Sequence, residues 1–354
     1  METRSHLKEI RERRGISAAA LAKLSGVTRQ TIYAIEAGDY VPNTAVSLQL
    51  AKILEVRVEE LFSLEDKSAA SKPVAVDFLT PSRAGQPVQL CRVGSKMIAV
   101  SCARQLMLPP SDAIVIDRKR AQTFADESDE PKRLLIAGCD PGISLLARHL
   151  DIVVAPSTSR QALEWLKQGK VHVAGTHLRD AATGDYNLPV VKHLFPAGSV
   201  KVVTFALWEQ GLVTRAGSPI RAVEDLAKKG VRLMNREKGA GSREVLDQRL
   251  RAAGIPVDRV HGYGRIAAGH MPAAQAVAEG EADCCIAARS AARAFGLHFI
   301  PLATERFDLV IRRQFANLPA VEALLDALNR SALRRKLEIL AGYNTAHTGE
   351  VLVA

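Results

Sequence analysis

The sequence predicts a multidomain chain: an all-α head of five helices, a small β-rich connector, and a two-lobed α/β domain. Three observations carry this. Residues 5–62 space their apolar positions as helices do and offer capping residues at Ser17, Thr28 and Asn43. Residues 86–118 hold short β-like runs around the turn signal Gly94-Ser95. From residue 133 onward strand and helix patterns alternate, the order of a parallel sheet with crossover helices. The boundaries drawn from these patterns are 1–66, 67–132 and 133–354.

Bulk properties narrow the classes. The chain has 354 residues, 47% hydrophobic and 24% charged, the balance of an ordinary globular protein. No apolar run approaches the roughly 18 residues of a membrane span, and METRSHLKEIRERRG is no signal peptide, so a cytoplasmic protein without a membrane partner is expected. The five cysteines form no CxxC pair, and neither a metal-ligand cluster nor a metal is expected. Cys284 and Cys285 lie in the apolar run ADCCIAA and read as buried thiols. A net charge of +10 permits a nucleic-acid partner.

Within the head, Ser17 starts a helix expected to bury Leu21 and Leu24, and Gly26 breaks it. Thr28 caps the next helix, with Ile32 and Ile35 inward. Arg29, Gln30, Thr31 and Tyr33 then stand at or beside its outer face, near its start. A helix-turn-helix delivers such side chains to base edges in the major groove. Arg29 suits a guanine and Gln30 an adenine, while Thr31 or Tyr33 can reach a thymine methyl or a phosphate. Residues 1–34 carry seven Lys or Arg against three Glu, and residues 35–66 two against seven Asp or Glu. The DNA side is therefore placed on the first three helices, with Arg11, Arg13, Arg14 and Lys23 as candidates for phosphate contacts. Another helix follows Asn43, with Leu48, Leu50, Ala51 and Leu54 as its apolar positions, and Val58–Phe62 closes the unit. Residues 5–62, through GVTRQTIYAIEAG and LEVRVEELF, resemble the Cro/repressor (XRE) family of DNA-binding domains. Ala18 departs from it, standing where many relatives carry a phosphate-touching Gln.

KSAASKPVAVD reads as a hinge, and QTFADESDEPKR as a second, charged linker. Between them Gln86–Arg118 reads as a small β unit suited to dimerisation.

The third region is organised around LMNREKGAGSREVLDQRL (233–250). An apolar strand stops at Asn235, Gly239 and Gly241 form a loop, and Ser242 is expected to cap the helix that follows. Free first-turn N–H groups and Arg243 suit a small anion there. A plain strand–loop–helix junction is the alternative. VKVVTFALWEQGLVTRAG is long enough to cross between lobes, and LPAVEALLDALNRSALRRKLEIL reads as one helix. The motifs AGCDPG, VAGTHLRD, TGDYNLP, NREKGAGSR, AVAEGEAD, PLATERFDLVI and GYNTAHTG resemble those of periplasmic-binding-protein-like domains, in the cytoplasmic form related to molybdate-binding proteins. The resemblance covers roughly 220 residues. It implies a cleft drawing on Asp140, Ser144, Thr176, His177 and Asn187 from one lobe and Gly241, Ser242, Arg243 and His270 from the other. Asp140 can equally be a helix cap, and the two histidines satisfied structural residues. Trp165 reads as core.

The function expected is a one-component transcription regulator. It would bind double-stranded operator DNA as a homodimer and sense a small anionic effector, molybdate or tungstate first, without a cofactor. A larger organic ligand such as a molybdenum-cofactor pterin is the alternative, and would depend on a ring such as Tyr186 or Phe307. An enzyme is not expected. Cys139 beside Asp140 is the only reactive-looking pair, and a cysteine that ends a buried strand is usually inert.

Overall fold

Short polar side chains start three helices of the N-terminal unit. In this computed structural model residues 3–64, 73–102, 111–124, 133–180 and 183–352 are described, and they fall into two compact units. In the first, strands β1 (Thr3–Ser5) and β2 (Phe62–Leu64) pair antiparallel and bracket helices α1 (Leu7–Arg13), α2 (Ala18–Ser25), α3 (Arg29–Ala37), α4 (Thr44–Leu54) and α5 (Val58–Leu61). The hydroxyls of Ser17 and Thr28 accept the Ala20 and Thr31 amides, and the Asn43 side chain accepts that of Val46. Gly26, at φ 69°, closes the turn between α2 and α3, a left-handed geometry that glycine adopts without strain. Leu7, Leu21, Ile32, Ile35, Leu50, Leu54 and Leu61 form the core. Leu24 and Leu48 do not join it, and both are 58% exposed: Leu48 lies across α4 from Leu50, and Leu24 sits beyond the edge of the face that Ala18, Leu21, Ala22 and Ser25 bury.

Of the linkers expected at 67–77 and 122–133, segments 67–72 and 125–132 lie outside the described residues, while 73–75 and 122–123 are strand rather than linker. Strands β3 (Pro73–Ala75), β4 (Asp77–Phe78), β5 (Pro87–Val93), β6 (Lys96–Ser101), β7 (Ala113–Val115) and β8 (Arg120–Thr123) form a sheet in the order β3-β8-β7-β5-β6-β4, with β5 and β6 joined at Gly94-Ser95. This sheet belongs to the second unit. Along β5, Val88 and Leu90 face one small core while Cys91 and Val93 face the large core of the first lobe. Arg133 ties the two together, 2.5 Å from Asp112.

That lobe contains β9 (Leu134–Gly138), β10 (Ile152–Pro156), α6 (Ser159–Lys167), β11 (Val173–Thr176) and α7 (Leu188–Leu194), with β9, β10 and β11 parallel. Trp165 packs in its core. Residues Pro141–Arg148 form a 3-10 helix capped by Asp140. The 15-residue strand β12 (Val200–Thr214) then crosses to the second lobe, roughly 50 Å at extended rise. There β13 (Leu233–Arg236), α8 (Gly241–Ala252), β14 (Ile266–Ala267), α9 (His270–Ala278), β15 (Cys284–Ala288) and α10 (Arg289–Ala294) follow. Strand β16 (His298–Arg312) returns antiparallel along β12. One ten-stranded sheet thus runs through both lobes. Cys284 and Cys285 enter separate cores on opposite faces of β15, as neighbours in a strand must.

The C-terminal helix expected as one piece is two, α11 (Pro319–Asn329) and α12 (Ser331–Leu340). Extended backbone at Arg330 separates them, and Leu324, Leu328, Leu333 and Leu337 all enter the same core. Short strands β17 (Tyr343–Asn344) and β18 (Val351–Leu352) close on β12.

Candidate functional site

On the head, capping by Thr28 leaves the first turn of α3 facing outward. Arg29, Gln30 and Tyr33 are exposed and Thr31 is half-buried, its hydroxyl 2.8 Å from that of Thr28. The Arg29 guanidinium donates to the Tyr33 hydroxyl at 2.8 Å and lies 5.3 Å from its ring centroid, so the two side chains are ordered as a pair. Arg13 and Lys23 are exposed. Arg11 is not a phosphate contact. It is buried, donates to Glu36 at 2.6 Å and to the Ile16 carbonyl at 3.0 Å, and Glu36 holds its guanidinium above the ordinary range. Arg14 is turned to the acidic side, with the Glu55 carbonyl at 3.2 Å.

The second site lies where the lobes meet. Cys139 follows β9, His177 follows β11, His270 opens α9, and Gly241 and Ser242 open α8. The crossing strands add Trp208, Gln210, Glu305 and Phe307. His177 is buried with its Nε2 3.2 Å from Cys139 Sγ and its Nδ1 2.7 Å from Glu305. Burial opposes charge on this ring, but Cys139 and Glu305 outweigh it and hold its pKa up at about 10. Gln210 donates its amide to the same Glu305 oxygen. Trp208 stands edge-on to both His177 and His270, with centroids 5.0 Å apart in each pair, and Phe307 stacks on His177 at 5.8 Å. A Cβ on Gly241 would lie 2.3 Å from the His177 ring, so only glycine lets α8 approach this closely.

His270 decides what the cleft can hold. One ligand atom from each of Cys139, His177 and His270 lies within 4.8 Å of the others, a spacing that would suit a metal ion and that no sequence motif announced. The tautomer argues otherwise. His270 Nδ1 accepts the Ala288 amide at 3.1 Å, and burial with the nearby charges of Arg236 and His177 drives its pKa well down. A neutral ring whose Nδ1 accepts carries its proton on Nε2, whereas a metal-ligating histidine gives its second N–H to an acceptor. Nε2–H is therefore a donor, buried without a partner among the described residues, as is the Trp208 indole N–H. The Arg243 and Glu244 amides turn back to Ala240, and those of Gly241 and Ser242 make no hydrogen bond among the described residues.

Several expected ligand residues are used elsewhere. Ser144 is exposed and donates to the Pro141 carbonyl. Thr176 donates to Asn187 Oδ1, which also accepts the Leu178 amide, while Asn187 Nδ2 donates to Asp308, so both side chains fasten a loop. Asp140 caps the Gly142 amide and accepts from Tyr343, and burial raises its pKa to about 6. Ser242 is not the cap. Helix α8 begins one residue earlier behind Ala240, whose amide closes a turn on Glu237, and Ser242 is buried beside the Arg236 guanidinium at 3.4 Å. Arg243 donates to the Arg236 carbonyl and covers the Tyr263 ring, outside the buried cluster. Arg236 is the cation within it, fully buried and paired with Glu237. No spacing signal marked it. At the mouth Arg160 of the first lobe meets Glu244 of the second at 3.3 Å. Tyr186 is half-buried and donates its hydroxyl to the Thr304 carbonyl, and Phe307 is core.

A continuous sheet through two lobes, with strand ends and helix starts converging between them, defines a two-lobed binding domain, here preceded by a helix-turn-helix. A helix-turn-helix family model matches residues 7–61, and the model described as the PBP superfamily domain matches residues 144–329. The latter covers more than half of the sequence, and the chain belongs to that family. The Bacillus subtilis (strain 168) protein YvgK is 34% identical over 251 residues, 69% of this chain and 81% of that protein. The HTH-type transcriptional regulator YgzD of the same organism is 42% identical over 65 residues, 18% of this chain and 98% of its own. Among solved structures, the sulfate-binding protein SubI from Mycobacterium tuberculosis H37Rv aligns with TM-score 0.46 and 16% identity, over 60% of this chain and 86% of that one.

Proposed function

We propose that the chain is a cytoplasmic, homodimeric transcription regulator whose head reads operator DNA and whose PBP-like domain closes on a small anion, molybdate or tungstate being the first candidates. The observation that carries the ligand reading is the convergence of donors between the lobes. His270 Nε2–H and Trp208 Nε1–H lack acceptors among the described residues, and the Gly241 and Ser242 amides open a twelve-residue helix beside them. An unmet buried donor costs about 1–3 kcal/mol, which an anion recovers. Arg236 and a protonated His177 supply charge of the right sign. Gln210 Oε1 is a buried acceptor without a donor among the described residues. Phosphate keeps a proton near neutral pH and can meet it, so phosphate competes with the fully deprotonated oxyanions.

For the head, exposed Arg29 and Gln30 at the start of α3 support base readout. The relative YgzD is named as a regulator of this type. The effector switches DNA binding by favouring one arrangement of the lobes over another. The test is to select duplexes from a random pool with the full-length protein and measure operator affinity with and without molybdate, tungstate and phosphate. A ligand-dependent change of tenfold or more supports the reading. Selection of no sequence, or an affinity indifferent to every anion, defeats it.

A further inference from the structure

We propose that Cys139, His177 and Glu305 form a nucleophilic thiol centre in the cleft that takes an acyl group from an activated ester or thioester. The inference uses the same cleft as the anion reading and does not depend on it. Three separate elements fix the geometry: Cys139 at the end of β9, His177 at the end of β11, Glu305 within the crossing strand β16. Nδ1–H donates to the carboxylate at 2.7 Å, which points Nε2 at the sulfur, 3.2 Å away. That is the orienting logic of a nucleophile–base–acid triad. Gln210 holds the carboxylate, and Trp208 and Phe307 hold the ring. Among the five cysteines Cys139 alone is half-exposed, while burial pushes the Cys91 and Cys285 thiols up to about 12 and raises those of Cys102 and Cys284.

A donor for the developing charge is also in range. Attack of sulfur on a carbonyl leaves the oxyanion about 2.7 Å from sulfur, so an N–H that stabilises it lies roughly 3.5–5.5 Å from sulfur. A ring nitrogen of His270 lies within 4.8 Å of Cys139 Sγ, and the Nε2–H of that ring lacks an acceptor among the described residues. In the forward step the Sγ–C bond forms on the sulfur that shares the His177 Nε2 proton, that proton stays on the ring, and the carbonyl π pair moves onto oxygen. Collapse expels the alkoxide or thiolate, which takes the proton from His177, leaving a thioester on Cys139. Water then attacks that thioester while His177 accepts a proton, and the carboxylate departs as the thiol is restored. No oxidant or reductant is consumed.

The experiment incubates full-length protein with p-nitrophenyl acetate, following p-nitrophenolate release and locating the acetyl group by peptide mass mapping. Acetylation of Cys139 is expected to outpace that of the other four cysteines by at least about tenfold. Cys139→Ser should abolish the adduct, and His177→Gln should slow its formation about 100-fold, the lower range of acid–base contributions. Glu305→Gln should keep Cys139 as the acetylated residue but shift the pH midpoint of the rate, which loss of packing alone would not do. Acetyl groups spread over lysines, or release unchanged in Cys139→Ser, would overturn the proposal. The wild-type mapping decides even if a variant fails to fold.

Discussion

A buried guanidinium is destabilising mainly when its partner is removed. Arg11 and Glu36 side chains are 10% and 5% exposed and pair at 2.6 Å. Arg11→Ala leaves Glu36 uncompensated and should lower the stability of the head by about 3–5 kcal/mol, read by urea unfolding. Arg13→Ala should leave stability unchanged and reduce the slope of log affinity against log salt by about 0.9, the signature of one lost phosphate contact. A third prediction concerns His177. Its folded pKa is raised to about 10, above the ordinary value of 6.5. It therefore contributes stability that is fully present below about pH 6.5 and is lost as pH rises through about 10. Urea unfolding across that window should show a decline that His177→Gln lacks. Little of this was legible beforehand. Arg11, Arg13 and Arg14 share one basic run, and only the facing of α1 separates the buried cation from the exposed ones. His177 meets Glu305 across 128 positions and Cys139 across 38, which no motif spacing encodes.

Elements were easier to foresee than the roles of their residues. The strand, glycine loop and helix at 233–250 were readable from periodicity, and both glycines act, though differently. Gly239 takes φ +87°, while Gly241 yields space to the His177 ring. Misassigned was the cap: the Glu237–Ala240 turn starts α8 behind Ser242, and a second arginine, Arg236, is buried beside that serine. Composition hides this, because both arginines flank the same loop and only the turn settles which one faces inward. Gly241→Ala tests the contact. Its Cβ would press on His177, so it should cost about 1–3 kcal/mol and lower anion affinity at least tenfold by titration calorimetry. Gly264→Ala, with nothing within 4 Å of its Cβ, should do neither. The crossing of β12 between lobes was likewise visible as one long β-rich run, whereas the break at Arg330 was not, since backbone geometry there leaves no trace in the apolar pattern.

At the scale of the whole molecule, patterns of period two and 3.6 separated a helical head from an α/β domain. The β sheet between them packs into the core of the α/β domain through Cys91 and Val93, a long-range contact that local alternation cannot reveal. Two compact units imply two unfolding transitions. An anion held by the larger unit at 100 times its Kd should stabilise that unit by about 2.7 kcal/mol and leave the head transition unmoved. Differential scanning calorimetry checks this.

The central claim is that unmet donors between the lobes bind an anion, and isothermal titration of molybdate, tungstate, sulfate and phosphate into full-length protein and His270→Asn tests it most directly. Asparagine keeps an acceptor for the Ala288 amide while removing Nε2–H. The account predicts saturable binding of at least one anion and a loss of tenfold or more in the variant. No heat with any of the four, or equal affinity in both proteins, would contradict it.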